Sequence, residues 1–165
     1  LYGLQSTTER AYWGQSQRAG IDRHFIEEMI PHHEGAIAMA ELALQKSKRP
    51  EILTLAHAII ESQTKEIVDM RTWYAAWFGT PVPESSSMMM GHMAGMEGDM
   101  DKLMAATDFD KEFLTQMIPH HEMAVMMGTM LASGTERPEM KQLANNIVES
   151  QTREIEMMKS WLAMW

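Results

Sequence analysis

Met29-Ile30-Pro31-His32-His33-Glu34 returns 88 positions later as Met117-Ile118-Pro119-His120-His121-Glu122. At that offset Asp22 to Trp77 aligns with Asp110 to Trp165 without a gap, and 26 of the 56 pairs are identical. Self-similarity of this length marks each copy as one structural unit. In the first copy Ile26, Ile30, His33, Ile37, Ala40 and Leu44 recur in steps of three and four, the seam of a packed helix. Charge and Pro50 interrupt the pattern, and Pro50 suits the first turn of a second helix with the seam Ile52, Leu55, Ile59, Gln63, Glu66, Met70, Trp73 and Trp77. The second copy repeats both seams, with its break at Ser133 to Pro138.

Two helical hairpins predict an all-α protein, a four-helix bundle that buries four apolar stripes joined by short turns. The expected divisions are an N-terminal extension over 1–21 that can add a short helix, a first hairpin over 22–77, a crossover over 78–107 and a second hairpin over 108–165. At 165 residues these form one domain, able to bury roughly 70% of the unfolded surface. The crossover is far longer than an ordinary connection, as functional loops often are. Its centre reads Met88-Met89-Met90-Gly91-His92-Met93-Ala94-Gly95-Met96.

Methionine occupies 19 positions and cysteine none. Without thiols there are no disulfides, no thiolate zinc sites and no His/Cys copper sites. Thioether sulfur beside imidazole is a ligand set for a soft cation, above all monovalent copper. A thioether also survives where a thiol would be oxidised, so a periplasmic or secreted location is expected, with any signal peptide removed before Leu1. A net charge of -9 argues against nucleic acid and anionic membranes as partners and mildly favours cations. No apolar run approaches the length of a membrane span, so membrane insertion is not expected.

On a helix, Met29 lies one turn before both His32 and His33, and Met117 stands likewise to His120 and His121. Met39 and Met127 continue the two clusters. Folding each hairpin about its turn sets His33 level with Gln63 and Glu66, and His121 level with Gln151 and Glu154. Glu beside imidazole fixes the tautomer of a metal-bound ring, although buried His and Glu can equally satisfy one another without metal. Pro31 and Pro119 remove a helical hydrogen bond, so a kink or wide turn is expected there. Met93, Met96, Met100 and Met104 would share a face of a short helix, continued by Met89 and His92. Few other residues nearby could build a core, which favours ligation. Met123, Met126 and Met130, where the first copy has Gly35, Ala38 and Leu42, are candidates for an additional exposed site.

The doubled Phe-x-x-x-Met-Ile-Pro-His-His-Glu, each followed by Glu-Ser-Gln-Thr-x-Glu-Ile, resembles the ferritin-like bacterial family known as domain of unknown function 305. The resemblance implies a helical bundle, monovalent copper or silver held by Met and His, and export from the cytoplasm. By motif it places the ligands on Met29, His32, His33, Met117, His120 and His121. The function expected is therefore a non-enzymatic copper binder, with Cu(I) as cargo, Cu(II) a further candidate, silver a surrogate and a copper efflux or sensor component a candidate recipient. Two alternatives compete. Glu and His projecting into a bundle can hold paired iron in a di-metal oxidase, although the Glu-x-x-His pattern is not evident here. A Met-rich face can also grip other helices in a purely partner-binding bundle.

Overall fold

The computed structural model describes residues 7–84 and 98–165, with side chains from Gly20 onward. Five helices are described: α1 (Thr7–Lys46), α2 (Pro50–Phe78), the six-residue α3 (Met100–Ala105), α4 (Phe109–Gly134) and α5 (Pro138–Met164). Two hairpins, α1 with α2 and α4 with α5, meet through α1 and α4. The all-α bundle of repeated hairpins is as the sequence predicts, and no strand occurs among the described residues.

Each tight turn is set by local chemistry. Ser47 Oγ accepts from Arg49 N–H at 3.2 Å, and Thr135 Oγ1 accepts from Arg137 N–H at 3.2 Å. Pro50 and Pro138 then occupy the first helical turn, where a missing donor costs nothing. At the far end of the first hairpin Gly79 adopts φ 72°, the left-handed conformation glycine tolerates, and closes α2 with a bond to the Ala75 carbonyl. Asp99 and Asp108 cap α3 and α4 by accepting from Lys102 N–H and Lys111 N–H.

The helix that the N-terminal extension can add is continuous with α1 from Thr7. Both α1 and α4 run on through Pro31 and Pro119. The buried face of α1 is also wider than one seam. Met29, His32, Ala36 and Met39, placed on the neighbouring ridge, are as buried as Ile26, Ile30, His33 and Ala40. The cause is that α1 covers two helices, α2 on one side and α4 on the other, and so does α4 in its turn.

Reciprocal clamps join the hairpins. Arg49, in the first turn, reaches Asp110 at 3.1 Å and lies 3.9 Å from the centre of a Trp165 ring. Arg137, in the second turn, reaches Asp22 at 2.7 Å and lies 4.3 Å from a Trp77 ring. Each turn is thus fastened to the open end of the other hairpin. Trp77 and Trp165 thus complete a contact between hairpins.

Candidate metal centre

Where α1 crosses α4, His32 and His120 stack with ring centres 3.7 Å apart. They lie near the pseudo-twofold axis relating the copies, and both are buried. Burial pushes the pKa of His32 down to about 2, and the neighbouring rings of His120, His33 and His121 add to the effect, so it is a neutral donor at ordinary pH. His33 flanks this pair, its ring centre 6.4 Å from that of His32.

His33 and His121 carry a matched arrangement. Nε2 of His33 lies 2.6 Å from Glu66 Oε2, and Nε2 of His121 lies 3.5 Å from Glu154 Oε2. Both rings are fully buried, whereas the glutamates keep 13% and 12% of their side-chain surface exposed. An ionised carboxylate only accepts, so Nε2 is the donor, and in a neutral ring Nδ1 is then left with its lone pair. That Nδ1 has no hydrogen-bond partner in either ring. A buried acceptor left unmade costs about 1–3 kcal/mol. Here the omission occurs twice, at repeat-equivalent positions.

The thioethers sort differently from the sequence. Spacing groups Met29 with Met39 and Met117 with Met127, each pair beside the histidines of its own hairpin. In the structure Met29 belongs to one apolar cluster, with Met127 packed against it, while Met39 and Met117 share the other. Because α1 and α4 cross near the repeated motif, each cluster draws sulfur from both hairpins. Met70 joins Met29, and Met158 joins Met117, all fully buried. Helical spacing around the histidines does not reach these two, although their identity in both copies, four residues after Glu66 and Glu154, is a signal in the sequence.

Met126 and Met130 are 56% and 67% exposed, and Met123 is partly so, which leaves them on the outer face of α4 and apart from the core. Met100 packs against one cluster while Met104, one turn later on the same short helix, is exposed. Met89, His92, Met93 and Met96 lie outside the described residues.

Among the described residues no three or more His, Asp and Glu side chains converge as a metal cluster. Imidazoles and carboxylates alone do not bring three donors to one point among the described residues. Buried thioethers are the abundant donors in both clusters, and they are soft. Gln63 and Gln151, also buried, each hold an unpartnered Oε1 in the same polar layer. The sequence placed them in that layer but gave no sign that the carbonyls would go unmet.

The profile of the family described as Domain of unknown function (DUF305) matches residues 22–162. Among solved structures, CopM in its Cu(II)-bound form is 52% identical, with a TM-score of 0.82 over 87% of this chain and 97% of that one. CopM in its Cu(I)-bound form is 50% identical, with a TM-score of 0.78 over 87% and 96%. A silver-soaked form of CopM is 49% identical, with a TM-score of 0.78 over the same shares. An uncharacterized protein of Acanthamoeba polyphaga mimivirus is 47% identical over 53 residues, 32% of this chain. The match spans about a third of that viral protein's length.

Proposed function

This chain belongs to the DUF305 family, and we propose that it captures monovalent copper, with silver as a surrogate, through methionine sulfur and histidine nitrogen. The observation that carries the proposal is the pair of buried, unpartnered Nδ1 atoms on His33 and His121, each ring held by a glutamate. A carboxylate on the far nitrogen orients the ring and raises its basicity toward an ion. The carboxylate also supplies the counter-charge that a buried monocation requires. Met29 and Met70 in one buried cluster, and Met117 and Met158 in the other, are the soft donors we assign to the two rings. The copper and silver forms of CopM support the choice of ion.

The role is non-enzymatic: the protein lowers free copper in a periplasmic or secreted setting and contributes to copper resistance. Zero cysteine and thioether chemistry support that location. No described helix is long and apolar enough to cross a membrane. The di-metal oxidase alternative calls for converging carboxylates and gains no support from the described residues. The Met-rich crossover and exposed Met126 and Met130 serve as further, weaker sites.

Competition for Cu(I) against a chromogenic chelator tests the proposal. His33→Ala combined with His121→Ala should remove the tightest sites, while replacing Met88 to Met104 by Leu or Ser should remove only weaker ones. Undiminished tight binding in the double histidine variant would refute the core assignment.

A further inference from the structure

Between α2 and α5, the two helices that do not form the central crossing, runs an open groove of about 760 Å³. Its walls include Ser62, Glu66 and Asp69 from α2, and Glu139, Asn146 and Glu149 from α5. Two cations also line it, but Lys65 is engaged by Asp69 at 2.8 Å and Arg153 by Glu149 at 3.0 Å. The groove's remaining charge is that of Glu66 and Glu139, and it is negative. Glu66 lines the groove and also touches the buried histidine, through the 2.6 Å contact with His33 Nε2. Its counterpart Glu154 does not line the groove, its contact with His121 is longer, and the position equivalent to Asp69 is Met157. The repeat is symmetric inside and unequal at this surface.

We infer that the groove is the port by which monovalent cations reach the first-hairpin histidine, with Glu66 joining solvent to His33. The inference rests on the proposed copper binding and adds a route and an order: the His33 side loads before the His121 side. A negative cleft with low-dielectric walls raises the local concentration of cations and their rate of entry. Steering of this kind weakens as salt screens it.

Stopped-flow mixing with Ag(I), followed by tryptophan emission, reads the rate, since Trp73 stands in the groove wall. The phase belonging to the first hairpin is the one lost in His33→Ala. Asp69→Asn with Glu139→Gln removes charge without filling space, and should slow that phase roughly threefold at low salt while leaving the dissociation rate unchanged. Asn146→Trp narrows the passage and should slow entry and exit alike, by about tenfold. Glu156→Gln removes an exposed charge that lies outside the groove and should leave the phase alone. An unchanged rate in both the charge variant and the narrowed variant, with binding at equilibrium intact, would overturn the port. Absence of any His33-dependent binding would instead defeat the copper proposal beneath it.

Discussion

At the scale of single residues, the glutamate beside each ring decides how the histidines behave. Replacing Glu66 by Gln keeps a side chain of the same shape but withdraws the charge, and should weaken binding at His33 by about 10- to 100-fold, as loss of such a partner commonly does. Chelator competition at constant pH measures it. His32 gives a separate, acid-dependent effect. Its pKa is about 2 in the folded protein against 6.5 ordinarily. Below pH 6.5 the unfolded chain takes up a proton that the folded chain refuses. The stability of the ion-free protein is therefore complete above that pH and falls as acid is added, by up to about 1.4 kcal/mol per pH unit from this group. Urea midpoints at pH 7.5, 6 and 5 should show the decline, and His32→Leu should flatten it.

At the scale of elements, the short strap leading into α3 is held closely. The Gln116 side chain accepts from Asp99 N–H at 2.8 Å and donates to the Asp99 carbonyl at 3.1 Å. Gly98, at φ 70°, lies so near Met39 that an added Cβ would stand 2.6 Å from its sulfur. Gly98→Ala should thus cost about 1 kcal/mol or more, through a left-handed backbone and a displaced thioether together. Thermal melting would register it, and silver affinity should fall if Met39 contributes sulfur. The helices themselves were legible in the sequence because their apolar spacing and the Arg-Pro-Glu turns are local signals. What was not legible was the second buried ridge on α1, carrying Met29, His32 and Met39. Spacing identifies a face that is covered, but the number of helices covering it is settled only by packing across the molecule.

At the scale of the whole molecule, the candidate centre was legible in kind and only half legible in arrangement. His33 with Glu66 follows from folding a single hairpin, which neighbouring sequence controls. The stacking of His32 on His120, and the sharing of Met39 with Met117, depend on how two hairpins cross, and no spacing within one copy encodes that angle. Since donors from both hairpins surround each cluster, occupancy should fasten the halves together. Silver at a hundredfold excess over its dissociation constant should add about 2.7 kcal/mol to unfolding stability for each site. Removing it with a thiol-bearing chelator should return the denaturation midpoint to the ion-free value. A rise confined to one hairpin, as resolved by hydrogen exchange, would contradict the shared assignment.

The exchange of arginines between the turns makes the two halves interdependent. Arg49 finds its aspartate and indole on the opposite copy, yet Asp22 and Trp77, the equivalents of the groups it holds, are present on its own. One hairpin thus carries both halves of the fastening, the arginine at its bend and the aspartate and indole at its mouth. Neither half keeps its ends in place alone, because a change at either bend is felt at the opposite extremity of its sibling.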